Sequence, residues 1–200
     1  MAIANYTDLQ ASVANWLARS DLTTVIPDFI VIAEANFNRT LRTLQQETKD
    51  AAFSISTEYV AVPTGFLEAR SMYLNTSPAS ALSFVPADTQ TNNYPATGRP
   101  TGFSLTGSNF RFSPAPDATY TATLIYYKAI PALASNATNW LLTAHPDAYL
   151  YGSLIAASGY IQDDGRVAGI KALYEQVIAE IKGSDNKNRW GGNGMRIRAA

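Results

Sequence analysis

Between Asp147 and Gln162 the chain carries one charge, Asp147 itself, and the spacing of its apolar residues predicts a helix with no polar side. Tyr149, Leu150, Tyr151, Leu154, Ile155, Ala157, Tyr160 and Ile161 cover every face of it. A helix that is apolar all round must be covered all round. A chain of 200 residues has the volume to do this itself. Neighbouring subunits do it more easily, so the segment predicts an assembly. Pro146, beside His145 and Asp147, suits the first turn, where its missing N–H leaves no bond unmade.

The same period recurs at both ends of the chain. Thr7 and Gln10 have capping-box spacing, with Tyr6 before them, and Leu9, Val13, Trp16 and Leu17 then mark one helical face. Pro27 suits the start of a second helix whose stripe is Phe29, Ile30, Ala33, Phe37, Leu41 and Leu44. Asp28, Glu34, Asn38, Arg39 and Arg42 are expected mostly on the other side. Asn139-Trp140-Leu-Leu reads as a short turn. Asp163-Asp164 opens a last helix with Val167, Ile170, Leu173, Tyr174, Val177, Ile178 and Ile181 at helical spacing, and Gly183 is its expected stop.

From Phe53 to Ile130 the period falls to two. Phe53–Val60 and Phe66–Leu74 read as strands separated by Pro63-Thr-Gly65. Residues 101–106 and 110–112 read as a hairpin about Gly107-Ser-Asn109, and 119–127 as the clearest strand. Residues 88–100 read as an exposed connection. Between Ser71 and Tyr127 only Asp88, Arg99, Arg111 and Asp117 are charged, and uncharged sheet edges invite pairing with another chain. A Thr/Ser/Asn-coated monomer surface and a subunit interface both fit that composition.

The fold class this predicts is α+β: a helical bundle from the N- and C-terminal helices, a small antiparallel β domain inserted between them, and an extended C-terminal arm. The boundaries are 1–50 for the first helices, 51–133 for the β-rich domain, 134–183 for the last helices and 184–200 for the arm. Residues 182–200 hold five basic side chains against Asp185, a net +4. The whole chain is −1, so the other 181 residues carry −5. Trp190-Gly-Gly-Asn-Gly194 is a flexible hinge and Met195-Arg-Ile-Arg198 alternates like a strand. A basic, Gly-hinged tail with Trp190 and Ile197 is expected to order against a protein partner.

Chemistry is largely excluded. There is no cysteine, hence no disulfide, thiol nucleophile or iron–sulfur site, and His145 is the single histidine, too few for a His₂ metal site. His145 next to Pro146 reads as a polar residue at a helix start. Asp163-Asp164-Gly165 lacks the spacing of a calcium loop, Glu34, Glu47, Glu58 and Glu68 share no motif, and no phosphate-binding glycine loop occurs. Catalytic, cofactor and metal sites are therefore expected to be none. The near-zero net charge excludes a strongly basic nucleic-acid binder. No run of 18 apolar residues occurs, so no membrane contact is expected, and Met1–Tyr6 lacks the character of a signal peptide.

An ordered set of short matches carries a resemblance. These are Tyr6-Thr-Asp-Leu-Gln, Val13-Ala-Asn-Trp16-Leu-Ala-Arg19, Ile26-Pro-Asp-Phe29-Ile and Ala33-Glu34-Ala-Asn36-Phe-Asn38-Arg39, then Val62-Pro-Thr-Gly-Phe66-Leu-Glu-Ala-Arg70 and Tyr126-Tyr-Lys-Ala-Ile130-Pro. Trp140-Leu-Leu, His145-Pro-Asp-Ala-Tyr-Leu-Tyr151-Gly and Arg189-Trp190 complete it. Together they resemble the head-to-tail adaptor proteins of tailed bacteriophages. The resemblance implies a non-catalytic virion protein made in the host bacterial cytoplasm. It implies a homo-oligomeric ring, typically of twelve subunits, beneath the portal protein and above a tail or nozzle protein, with DNA passing through without sequence-specific contact. It places portal contact on the C-terminal segment, here Lys187, Arg189, Trp190, Met195, Arg196, Ile197 and Arg198. Glu34 is expected to form a structural ion pair with Arg19, Arg39 or Arg42 among the helices. A tail-associated peptidoglycan hydrolase and a protein-binding module with no phage role are the alternatives.

Overall fold

The structure is a computed structural model that describes residues 3–19, 21–87, 97–161 and 164–190. The chain is α+β and divides into two units, residues 1–45 with 130–200, and residues 46–129. Helices α1 (Tyr6–Leu17) and α2 (Ile26–Thr40) lead to a short 3₁₀ turn, Leu44–Gln46. Seven strands follow: β1 (Glu47–Ile55), β2 (Tyr59–Ala61), β3 (Phe66–Leu74), β4 (Ser80–Phe84), β5 (Gly102–Thr106), β6 (Asn109–Ser113) and β7 (Tyr120–Lys128). Helices α3 (Trp140–Ala144), α4 (Pro146–Ile161) and α5 (Asp164–Trp190) close the chain.

In the helical unit, α4 is the hub, packed against α1, α2, α3 and α5. Ala148, Tyr149, Leu150, Gly152, Ser153, Leu154 and Ala157 are buried there by the chain's own helices. Of the two coverings the sequence allows, the chain's own helices supply most: Tyr151 and Ile155 remain half-buried, and the last turn emerges with Tyr160 59% exposed. Gly152 explains how α2 comes so close. A Cβ there would lie 3.2 Å from both Ala33 Cβ and Phe37 Cζ, tighter than ordinary contact, so a side chain would require these neighbours to give by a few tenths of an ångström.

Helix ends follow local chemistry, with two departures from expectation. The cap of α1 is Asn5, not Thr7. Its Oδ1 accepts the Asp8 N–H at 3.0 Å, while Asp8 Oδ2 accepts from Asn5 Nδ2 at 2.9 Å and from the Ala4 N–H at 3.2 Å, a relative of the capping box that uses the side-chain amide in place of the cap's own N–H. Pro27 and Pro146 do occupy the first turns of α2 and α4. Gly183 does not stop the last helix, which runs on to Trp190. A helical glycine costs about 1 kcal/mol, and tertiary bonds outweigh it here. Asp185 Oδ1 accepts the Leu44 N–H at 2.6 Å, and Arg189 donates to Asp185 Oδ2 at 2.6 Å and to the Arg42 carbonyl at 3.1 Å. Residues 184–190 are therefore helix, while residues 191–200, including Met195–Arg198, lie outside the described residues.

The seven strands form one curled sheet in the order β1-β7-β3-β4-β5-β6-β2, antiparallel except where β4 runs parallel to β5. Its two edges, β1 and β2, are joined by only Ser56–Glu58. Phe53–Val60, expected as one strand, is thus the end of β1, a turn and β2. The β5–β6 hairpin turns at Gly107-Ser108, with Gly107 at φ +59, the left-handed region a two-residue turn requires. The interior holds Phe53, Ile55, Met72, Leu74, Leu82, Phe103, Phe110, Phe112, Ala122, Leu124 and Tyr126. The charge-poor strands β4–β7 lie inside the sheet. The edges are β1, which carries Glu47, Lys49 and Asp50 and a bulge between Asp50 and Phe53, and β2, three residues long. Charge, a bulge and shortness are what guard edges against pairing, so the uncharged strands are central and not docking edges. Residues 88–96, most of the expected connection, lie outside the described residues.

Candidate interaction surfaces

The expected ion pair at Glu34 does not form. Glu34 lies on the buried face of α2, where its Oε1 accepts the Leu133 N–H at 2.8 Å and the Tyr149 hydroxyl at 3.4 Å. Tyr149 in turn receives a bond from Asn139 Nδ2 at 2.7 Å, and the same nitrogen donates to the Pro131 carbonyl at 2.8 Å. Asn139 Oδ1 caps α3 by accepting the Leu142 N–H at 2.9 Å. Glu34 therefore fixes the segment after β7 onto α2. The three arginines go elsewhere. Arg19 forms a two-pronged, exposed pair with Asp21, at 2.7 and 2.6 Å. Arg42 donates to the Asn38 and Leu41 carbonyls at 2.8 and 2.7 Å, closing the end of α2. Arg39 is exposed.

Burial raises the Glu34 carboxyl above the usual carboxylate range, the two hydrogen bonds only partly opposing it, and burial likewise raises the Tyr149 hydroxyl. A folded-state value above the unfolded one means the folded protein holds that proton more tightly. The contribution is fully present below the unfolded value of about 4.3 and is lost as pH rises through the folded value. Glu34→Gln keeps a neutral acceptor at every pH. Its melting temperature relative to the parent is expected to rise between pH 4 and pH 8. A parent that instead gains on the variant over that range contradicts the assignment.

The residues expected to meet the portal are split. Lys187 is exposed on α5, while Arg189 is largely spent on Asp185 and the Arg42 carbonyl, with side chains 17% and 10% exposed. Trp190 ends α5, and Met195, Arg196, Ile197 and Arg198 lie outside the described residues. His145 is half-buried between α3 and α4, as a polar residue at a helix start.

Apolar side chains missed as surface features are more telling. On α2, Val31 and Ile32 are 51% and 53% exposed on the face opposite the buried one. Trp16, expected in the core, is half-exposed and meets Tyr151 edge-on at 6.0 Å. It borders a groove of about 200 Å³ with Leu154 and Ile170 on its walls and Arg19 and Arg166 among its lining. In the β unit, β3 pairs with β4 only at Met72–Leu74, after which β4 turns to β5. A cavity of about 310 Å³ lies there, lined by Phe66, Phe84, Phe103, Leu105 and Phe110, with Phe84 64% exposed. The alternation of polar and apolar residues hides such positions, because it marks a face without saying whether that face is covered.

Among the described residues no three His, Asp or Glu side chains gather as a metal site would need, and no helix is long and apolar enough to cross a membrane. What the described surface offers is apolar contact area. No curated protein matches the chain. The profile of the SU10 adaptor protein family matches residues 4–198, from just before the Asn5 cap to the end of the Met195–Arg198 alternation. With both units and the tail inside that match, the chain belongs to the SU10 adaptor family of bacteriophage head-to-tail adaptors.

Proposed function

We propose that this chain is a structural virion subunit that assembles into a ring of about twelve copies, the closed, head-to-tail kind of symmetry, and joins the portal to the tail while continuing the DNA channel. The family match over residues 4–198 carries this reading. The exposed apolar residues of both units support it, because a ring subunit needs contact surface on two sides. The −5 body leaves a channel wall with little attraction for phosphate. In this reading the helices of the two chain ends make a bundle, and the last residues form an arm onto the portal. Lys187, Trp190, Met195, Arg196, Ile197 and Arg198 make the contact, and Arg189 anchors the root of the arm through Asp185.

The test is removal of residues 191–200. Sedimentation with the portal protein of the same phage is expected to show binding weakened at least about tenfold, the loss of one or two interface anchors. Undiminished binding overturns the arm. Electron micrographs of the full-length mixture without rings on the portal overturn the connector reading itself.

A further inference from the structure

Helix α2 has two apolar faces, and the described residues bury only one of them. Ile26, Phe29, Ile30, Ala33 and Phe37 are buried. At 100° per residue, Asp28, Val31, Ile32, Ala35 and Arg39 fall on the opposite side, and all five are exposed. A solvated helix places its charges on that side. Here the centre of the stripe is apolar, one acid stands at its start and one base at its end. Among the described residues neither Asp28 nor Arg39 takes part in an ion pair.

The order of charges identifies what covers the stripe. Asp28 and Arg39 are eleven residues apart, about 16 Å along the axis at 1.5 Å per residue. Turning a second copy of α2 end over end about the midpoint lays each Asp28 against the other copy's Arg39, with Val31, Ile32 and Ala35 between. A parallel neighbour in the same register would oppose like charges. We propose that two copies of this chain pair through this stripe, α2 antiparallel to α2. This goes beyond the ring: a two-fold contact closes at two subunits, whereas ring contacts join different surfaces. Five residues per copy make an interface far below the usual size of about 800 Å² per partner, so the dimer is weak and reversible, with a dissociation constant on the order of 100 µM.

Sedimentation equilibrium of the full chain alone, from about 10 µM to about 1 mM, reads this directly. The expected result is a concentration-dependent dimer. Asp28→Arg or Arg39→Asp, each breaking two symmetry-related contacts, raises the dissociation constant about tenfold. The double variant D28R/R39D restores it to within about twofold, because both reversed charges meet again. Ile32→Glu, which places a charge at the centre, leaves only monomer. Asp28 and Arg39 also complement the dipole of α2, so each charge reversal is expected to lower the melting temperature by a few degrees without unfolding the protein, and the melting temperature is measured alongside. A monomer at every concentration overturns the proposal, as does a dimer that survives I32E or one that the double variant fails to restore. None of these outcomes involves the portal, so they leave the connector reading untouched.

Discussion

Phe37→Ala is expected to cost the helical unit about 3–5 kcal/mol, a large share of a typical domain's stability. Phe37 is fully buried and meets Tyr149 edge-to-face at 5.0 Å and Tyr174 at 6.3 Å. The cavity left behind has little means of collapsing. Tyr149 is held by Asn139 and Glu34, and the facing residue is Gly152, which has no side chain to move in. Trp16, Trp140 and Trp190, the three tryptophans, all belong to the helical unit. Urea unfolding followed by tryptophan emission therefore reports that unit alone. The midpoint is expected to fall with little change in slope. A loss under about 1 kcal/mol would mean that α2 and α4 do not interlock through this ring.

Phe110→Ala is expected to cost the β unit a similar amount, about 3–5 kcal/mol. Phe110, the second residue of β6, is fully buried and meets four rings: Phe66 at 5.2 Å, Phe53 and Phe103 at 5.8 Å and Phe112 at 6.3 Å. The buried interior of the sheet is built around these rings, so it is held by their side chains. With no tryptophan in residues 46–129, the readout is hydrogen exchange by mass spectrometry. Amides of β5, β6 and β7 are expected to lose protection at least about a hundredfold, while those of α4 are expected to change little. Equal loss in both units would show that they unfold as one.

Periodicity made α1, α2, α4, β3, β7 and the β5–β6 hairpin legible, because each combines a regular apolar spacing with a punctuating Pro, Gly or Asn. What escaped was decided by contacts distant in sequence. Gly183 reads as a stop from its neighbours alone, yet α5 continues because Asp185 and Arg189 find partners at residues 42–44. Glu34 reads as half of an ion pair among the helices, but the Leu133 N–H, 99 positions later, takes its carboxyl oxygen instead. β4 is short and has only Leu82 buried, too little for a period to show. The surface stripe of α2 was hidden for the opposite reason. Val31 and Ile32 fall outside the stripe of Phe29, Ile30, Ala33 and Phe37, and only burial shows that they stay exposed.

Glu47 and Tyr127 are paired neighbours on β1 and β7, so the chain enters the β unit and leaves it side by side. A guest module whose two ends already touch asks little of its host. A few glycines between Gln45 and Ile130 could bridge the gap after its removal, and a different module could be spliced into the same doorway. Both passages of the chain into the sheet thus share one seam, the paired ends of β1 and β7.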